Sequence, residues 1–352
     1  MRNFNYSKKW INVINPEIIA LLAQIHEFKG RQERYLDTKA DVLLQLVNVA
    51  RIQSTAASNN IEGIRTTDER LNALIKDKTI PKSRNECEIA GYRDVLNTIH
   101  ENYEYIPIKP TMILQLHRDL YKFEGLDIGG KYKSTDNVIE EEDLNGKKFV
   151  RFKTVAVWET QDMIQNLCDE FEKELNNKIV DELILISMFV LDFLCIHPFN
   201  DGNGRMSRLL TLLMLYRSGY IVGKYISIEH LIEKTKDLYH DSLEQSSMKW
   251  HEDENDYTPF VKYMLGVIIA AYRDFANRVE MIYNNNMSKP ERIAKLIKDT
   301  YGEITKTEIM RKCQDISQIT VQRTLAELMG KGDIIKIGGG RYTKYIWNRE
   351  KE

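Results

Sequence analysis

The twelve consecutive residues from His197 to Arg208 carry most of the chemistry that this sequence offers, in the order His-Pro-Phe-Asn-Asp-Gly-Asn-Gly-Arg-Met-Ser-Arg. The imidazole of His197 can take a proton from an incoming hydroxyl group. The carboxylate of Asp201 suits Mg²⁺, which binds few protein ligands and keeps most of its waters. A candidate base and a candidate metal ligand therefore lie on the same short stretch.

The second half of the stretch has the features of an anion site. Gly202 and Gly204 leave the backbone uncovered where a helix is expected to begin, near Asn203. The free N–H groups and the dipole of a helix N-terminus attract phosphate oxygens. Arg205 and Arg208 share one helical face, and two guanidinium groups suit a polyphosphate. A plain helix–loop–helix turn with a capping Asp is the alternative interpretation.

The stretch resembles the Fic family of protein adenylyltransferases, because it matches the family pattern HPFx(D/E)GNGRxxR at every fixed position. The resemblance implies transfer of AMP from ATP to a Ser, Thr or Tyr hydroxyl of a target protein and of the chain itself. It implies His197 as the general base, Asp201 as the ligand of the cofactor Mg²⁺, and Phe199 as a buried anchor. Some relatives hydrolyse AMP off proteins at this site, and the sequence does not separate the two reactions. The residues implied to bind the phosphates are Gly202, Asn203, Gly204, Arg205 and Arg208.

A second stretch, Ser58-Asn-Asn-Ile-Glu-Gly63, fits the (S/T)xxxE(G/N) pattern of the family's inhibitory helix. By this resemblance Ser58 and Glu62 are inhibitory residues, and Glu62 pairs with Arg208 in the γ-phosphate site. A buried carboxylate would compete with phosphate for the same guanidinium fork. A helix cap followed by a glycine stop is the alternative. The family's adenine pocket often contains a tyrosine from a later helix, for which Tyr239 is the candidate.

A β-hairpin is predicted at Asp136–Thr154, with arms at 137–140 and 149–152 around the tight turn Asn145-Gly146. The family has a flap at this place, and a flap edge can align a target segment by backbone pairing. Lys133 stands in the run before the hairpin where the family commonly has Arg. A surface hairpin without a binding role is the alternative.

The remaining pattern is mainly helical, and it predicts the fold class. We expect a mainly α protein with a Fic-type helical bundle, a β-hairpin flap and a small C-terminal winged helix-turn-helix domain. The expected domains are an N-terminal helical region at 1–110 with the inhibitory helix, the catalytic core at 111–285 and the winged-helix domain at 286–352. Helical periodicity covers 15–50, 85–122, 160–175, 183–196, 203–217, 228–246 and 257–285.

The C-terminal part is more basic than the rest of the chain. From Ser288 to the end it has 14 Lys and Arg against 9 Asp and Glu. Three predicted helices and a glycine-tipped hairpin follow one another there, so residues 288–352 are a candidate surface for DNA or for a protein. The recognition helix would begin at Ser317. Its candidate groove-facing residues are Gln318, Thr320, Gln322 and Arg323.

Composition places the whole chain among ordinary globular proteins. It has 352 residues, 43% hydrophobic and 29% charged, with a formal net charge of −2, which favours neither a nucleic-acid nor a membrane partner for the molecule as a whole. The four cysteines form no CxxC pair, so a reducing, cytoplasmic setting is expected. The histidines show no HxxxH spacing, and no metal besides Mg²⁺ is predicted. The oligomeric state stays open, a homodimer included.

Overall fold

The structure is a computed structural model that describes residues 2–36, 40–76, 79–124, 128–142, 148–286, 288–300, 302–313, 316–340 and 343–349. The chain divides into two compact units, Met1–Phe275 and Ala276–Glu352. The helices that begin in the first unit are Tyr6–Lys9 (α1), Pro16–Leu36 (α2), Ala40–Ile61 (α3), Asp68–Ile75 (α4), Arg84–Asn102 (α5), Pro110–Leu120 (α6), Val157–Asn177 (α7), Glu182–Ile196 (α8), Asn203–Arg217 (α9), Ile228–Lys234 (α10), Lys236–Ser247 (α11) and Thr258–Asn286 (α12).

Helix α8 is the centre of the first unit. Nearly every side chain from Leu183 to Ile196 is buried, and α8 packs against both α7 and α9. The side chain of Asp181 caps its start by accepting a hydrogen bond from the Leu183 N–H at 2.9 Å. Its end is set by Pro198, which disfavours helical geometry in the residue before it. An apolar run of this length, bounded in this way, predicts a buried helix, and the structure confirms it.

One carboxylate is buried inside this apolar helix. Asp192 accepts hydrogen bonds from the Tyr6 hydroxyl at 2.7 Å, the Trp250 indole N–H at 2.6 Å and the Tyr257 hydroxyl at 2.9 Å. The guanidinium of Arg2 lies 3.8 Å away. A buried charge is tolerated only when it is paired and hydrogen-bonded. Asp192 therefore ties the N-terminal segment and the region around residue 250 to α8.

The predicted hairpin is present as two antiparallel strands, Val138–Glu142 (β1) and Lys148–Lys153 (β2), with an irregularity between Ile139 and Glu140. The predicted turn Asn145-Gly146 lies outside the described residues. The mainly helical bundle with a small β-flap is thus the observed fold class.

Three of the predicted periodic stretches each contain two helices. The periodic stretch 15–50 consists of α2 and α3. The stretch 85–122 breaks before Pro110, which occupies the first turn of α6, where its missing N–H costs nothing. The stretch 228–246 breaks at Thr235, whose backbone leaves helical geometry between α10 and α11.

The second unit contains the elements predicted for residues 288–352. Their order is Lys289–Asp299 (α13), Ile304–Thr305 (β3), Lys306–Lys312 (α14), Gln318–Lys331 (α15), Ile334–Ile337 (β4) and Lys344–Trp347 (β5), with sheet order β3-β5-β4. Capping boxes at Ser288 and Thr305 fix the starts of α13 and α14. A separate core is built from Ile293, Ile297, Val321 and Leu325. Across the described ranges of the chain, no helix is long and apolar enough to span a bilayer.

Candidate active site

A pocket of about 170 Å³ lies where α9 begins. The hairpin, α8, the loop at 197–202 (hereafter the 197–202 loop), α9 and α11 surround it, together with the end of α3. Elements from distant parts of the sequence therefore meet at the predicted chemical stretch. The predicted site residues that line the pocket are Glu62, His197, Gly204, Arg208 and Tyr239.

His197 is placed as a neutral base. It follows α8 with a left-handed backbone, φ 53°, which is uncommon for a residue with a side chain. Its Nδ1–H donates to the Leu194 carbonyl at 3.3 Å, which leaves Nε2 as the acceptor on the pocket side. Burial lowers the pKa of His197 to about 4. The ring is therefore uncharged near neutral pH and able to accept a proton.

Helix α9 begins at Asn203, so the N–H groups of its first turn have no partner within the helix. Gly202 takes φ 83° and leaves no room for a side chain, because a Cβ would lie 2.9 Å from the Tyr121 hydroxyl. The Asn203 side chain does not face the pocket. Its Oδ1 accepts from the Phe199 N–H at 2.9 Å and its Nδ2 donates to the Phe199 carbonyl at 2.8 Å. Asn203 thus closes the 197–202 loop, and Phe199 is fully buried beneath it.

Arg208 is held by the α3 residues that the sequence singled out. Its Nε donates to Ser58 Oγ at 2.8 Å, and its Nη2 donates to the Ser58 carbonyl at 2.8 Å and to Glu62 Oε1 at 2.7 Å. Arg208 is 3% exposed but Glu62 is 37% exposed, so the pair is buried on one side only, contrary to the expectation of a fully buried pair. Burial raises the pKa of the Glu62 carboxyl, but the charge and hydrogen bond of Arg208, together with the charge of Arg205, hold that pKa below its usual value. Glu62 is therefore an anion seated on a guanidinium at the pocket edge.

Gly204 makes room for that anion. A Cβ at residue 204 would collide with the Glu62 carboxylate. The end of α3 is fixed from the other side, since Lys236 Nζ donates to the Ile61 carbonyl at 2.8 Å and Asn60 Nδ2 donates to Glu233 at 2.9 Å. Helix α10 and the start of α11 thus hold Glu62 over the first turn of α9.

The side chain of Arg205 does not line the pocket, whereas the sequence predicts that it reaches phosphates beside Arg208. It is 1% exposed, with Nη1 2.6 Å from Glu88 Oε2, and its Nη2 donates to the Tyr121 hydroxyl at 2.7 Å. Arg205 and Arg208 are three positions apart, which is slightly less than one helical turn, so their side chains point in different directions. The side chain of Arg205 points toward Glu88 on α5 and Tyr121 at the end of α6. In this structure Arg205 stabilises the base of the 197–202 loop.

Asp201 lies at the exposed edge of the site. Its side chain is 50% exposed, and Oδ2 accepts from Arg84 at 3.2 Å. Within the described ranges, no group of three His, Cys, Asp or Glu side chains is arranged to hold a metal. Mg²⁺ in nucleotide sites usually has one or two carboxylates, water and the phosphates of the substrate as ligands. A single exposed carboxylate beside a helix N-terminus fits that ion.

Tyr239 lies against Arg208, not in an open slot. It is buried, and its ring centroid lies 5.7 Å from Tyr263 and 6.1 Å from Phe260. Burial raises the pKa of Tyr239, while the nearby Arg208 opposes this. The tyrosine contributes an edge of the pocket, and its packing neighbours set its orientation.

Sequence inspection missed His117, which links three parts of the site. Its Nδ1 accepts from the Gly130 N–H at 3.0 Å and its Nε2–H donates to the Asp201 carbonyl at 3.1 Å. The ring stacks on Phe199 with centroids 3.7 Å apart, and burial lowers the pKa of His117 to about 4. The spacing of histidines gave no signal for it, because its partners lie in other segments.

Comparison with known proteins gives a family match over this region. Residues 107–215 match the Fic/DOC family. A segment of 143 residues, 37% of this chain, is 28% identical to the protein adenylyltransferase Fic of Drosophila erecta and covers 26% of it. The Aedes aegypti protein of the same name is 34% identical over 101 residues, 28% of this chain and 18% of its own length. The chain therefore matches about a quarter or less of these relatives.

One match carries a different name. Over 96 residues, 25% of this chain, it is 31% identical to the ribonucleoside-diphosphate reductase small chain of Ostreid herpesvirus 1, and these residues cover 15% of that protein. So small a share of the viral protein says nothing of this chain's activity.

Solved structures show the same fold. A Fic family protein from Desulfovibrio desulfuricans has a TM-score of 0.61 at 22% identity, covering 96% of this chain and 97% of its own. A Fic domain containing signaling protein from Bacteroides thetaiotaomicron has a TM-score of 0.62 at 21% identity, covering 73% and 97%. At these identities the likeness establishes the fold alone.

Proposed function

Since this chain is a Fic-family protein through residues 107–215, we propose that it is a protein adenylyltransferase inhibited by its own Glu62. The observation that carries the proposal is the shared pocket. The base His197, the anion-binding first turn of α9 and the Arg208–Glu62 pair all line one cavity. Because the Glu62 carboxylate pairs with Arg208 at the edge of the pocket, we infer that this guanidinium can bind another anion in its place.

The reaction places a target hydroxyl beside Nε2 of His197. The imidazole takes the hydroxyl proton, the oxygen attacks the α-phosphorus of ATP, and the bond to the β-phosphate oxygen breaks. Pyrophosphate leaves and AMP stays on the protein. The N–H groups of Gly204 and Arg205 at the start of α9 would bind phosphate oxygens. Mg²⁺ held by Asp201 would neutralise phosphate charge when bound.

Arg208 would bind the γ-phosphate once Glu62 leaves it. The freed guanidinium retains the Ser58 contacts, so it stays in place as a preorganised fork. The hairpin would align the target segment along its edge, because residues of both strands line the pocket.

The test is incubation of the full chain with labelled ATP and Mg²⁺, followed by intact-mass analysis. Self-modification needs no known target, and a mass gain of one AMP is expected. His197→Ala is the matched control, in which ATP still binds but the label falls by at least about 100-fold. Absence of label in both the wild type and Glu62→Gly would refute the transferase. Release of AMP from a premodified chain after ATP is removed would favour the hydrolase.

A second candidate function is DNA binding by the C-terminal unit. On α15 the side chains of Gln318, Gln322 and Arg323 are exposed, whereas Val321 and Leu325 pack inward. Exposed amide and guanidinium groups on one helix face can read base edges. Thr320, also a candidate, is only half exposed, and its hydroxyl contacts Ser317 Oγ at 2.9 Å.

This candidate is tested with the full chain and a DNA duplex at several salt concentrations. Binding that weakens steeply with salt, and that weakens further in Arg323→Ala, is expected. Equal affinity of wild type and variant would remove α15 as the DNA-contacting element.

A further inference from the structure

Lys133 is a buried lysine whose ammonium is fully used inside the protein. It is 3% exposed. Its Nζ donates to Asn137 Oδ1 at 3.0 Å, Thr154 Oγ1 at 2.9 Å and the Ile196 carbonyl at 3.1 Å. An ammonium has three N–H donors, and three acceptors meet them here.

These acceptors belong to two parts of the molecule. Asn137 and Thr154 flank the two strands of the hairpin, whereas Ile196 is the last residue of α8, next to His197. The backbone of Lys133 adds a further link, since its N–H donates to the Pro198 carbonyl at 2.8 Å. The base of the hairpin and the start of the 197–202 loop are therefore joined through one residue.

The hairpin makes its own contact with the same loop. Asn137 Nδ2 donates to the Phe199 carbonyl at 3.0 Å, and Thr154 Oγ1 donates to the Asn137 carbonyl at 2.7 Å. Because Lys133 orients both side chains, these bonds depend on its ammonium. A neutral amine would supply only two donors to three acceptors.

We propose that Lys133 is a positioning residue whose ammonium fixes the hairpin to the 197–202 loop and sets a positive charge next to the end of α8, beside the base His197. The second half rests on the proposed function. The first half concerns geometry and holds for any chemistry in this pocket.

The charges around His197 support the electrostatic part. Burial is the largest cause of its lowered pKa, and the Leu194 carbonyl opposes it. Lys133 lowers the pKa of His197 further, whereas Glu62 and Asp201 raise it. Two carboxylates thus favour the imidazolium, and the lysine opposes them.

The charge on Lys133 is itself sensitive to pH. Burial lowers the pKa of Lys133 to about 8, and Asp136 opposes this shift only partly. Above that pH the ammonium loses a proton and one of its three hydrogen bonds. An arginine keeps its charge at any such pH.

The primary test measures the protonation of His197 by NMR, with ¹³C-labelled histidine and His197→Ala to assign the signal. In the wild type the His197 signal stays that of a neutral ring from pH 5 to 8, and its midpoint, near pH 4, is reached only on further acidification. In Lys133→Met a cation is lost, so the midpoint moves to higher pH, and in Lys133→Arg it stays near the wild-type position. An unmoved midpoint in a folded Lys133→Met chain overturns the electrostatic role. This measurement needs no AMP transfer, so it stands apart from the proposed function.

The second test separates position from charge by using the self-modification assay. Thr154→Val removes one acceptor but retains the cation. It should lower kcat by about tenfold without moving the acid limb of the pH profile, because misplacement costs rate and not protonation. Lys133→Arg should retain activity above pH 8, where the wild type declines. An unchanged kcat in Thr154→Val, together with identical alkaline limbs in wild type and Lys133→Arg, would refute the positioning role.

Discussion

Helix α9 carries two arginines that each pair with a glutamate from another helix, and the two pairs lie in different surroundings. Arg205 and Glu88 are 1% and 4% exposed, with 2.6 Å between Nη1 and Oε2. Arg208 and Glu62 are 3% and 37% exposed, with 2.7 Å between Nη2 and Oε1. The distances hardly differ, but water and ligands reach only the second pair.

This difference separates a fixed contact from an exchangeable one. Breaking a fully buried pair leaves a charge with nothing to replace its partner. At the edge of a pocket, a phosphate can take the place of the carboxylate on the same guanidinium. We therefore expect two arginines that look equivalent in sequence to differ, with Arg205 contributing to stability and Arg208 available to an anionic ligand.

The largest effect is expected at the buried pair. Glu88→Ala should lower the free energy of unfolding by about 3–5 kcal/mol, because the buried Arg205 loses its nearest counter-charge and keeps only Asp201 at 3.8 Å. Urea denaturation of the full chain measures this. A loss of unfolding free energy of only about 1 kcal/mol or less, as for an exposed ion pair, would show that water compensates Arg205 and that the two pairs do not differ.

Asp201 is the second carboxylate near Arg205, with its Oδ1 3.8 Å from that guanidinium, and unlike Glu88 it is half exposed. Asp201→Ala should abolish Mg²⁺-dependent transfer, a loss of about 100-fold or more, with little change in stability. Labelled-ATP assays across a Mg²⁺ titration measure it. An unchanged Mg²⁺ titration curve would show that Asp201 does not bind the ion and only pairs with Arg84.

Glu62→Gly should raise self-modification by about tenfold or more, since Arg208 becomes available to the γ-phosphate of ATP. The direction is informative because most substitutions lower activity. Combining Glu62→Gly with Arg208→Ala should remove the gain. Equal or lower labelling in a folded Glu62→Gly chain contradicts inhibition by this residue.

The smallest effect is expected for the stability of a chain in which Glu62 is replaced by glutamine. Replacing Glu62 by Gln should change the free energy of unfolding by about 1 kcal/mol or less, because partly exposed ion pairs contribute little. Urea denaturation of the Glu62→Gln and Glu88→Ala chains, side by side, measures the difference between their losses of unfolding free energy. Equal losses in the two variants would erase the distinction between fixed and exchangeable pairs.

Local pattern predicted part of this arrangement. Pro198 indicated where α8 ends, Gly202 and Gly204 indicated where α9 begins, and the motif pointed to His197 and Arg208. The contact of Arg208 with Ser58 and Glu62, 150 and 146 positions away, came from resemblance, because no local pattern encodes it.

The rest depended on tertiary packing. Whether Arg205 faces phosphate or protein depends on where α5 and α6 place Glu88 and Tyr121, and spacing along α9 carries no information on that. The same holds for Lys133, whose three acceptors come from separate segments. Side-chain direction at such positions is a property of the assembled bundle.

The buried carboxylate of Asp192 also has a consequence for synthesis on the ribosome. Its donors Trp250 and Tyr257 lie 58 and 65 positions later in the chain. Until they emerge, Asp192 of a nascent α8 has only its partners from the N-terminal segment, Tyr6 and Arg2. The helix that positions His197 therefore completes its buried hydrogen bonds only after residue 257 has been synthesised.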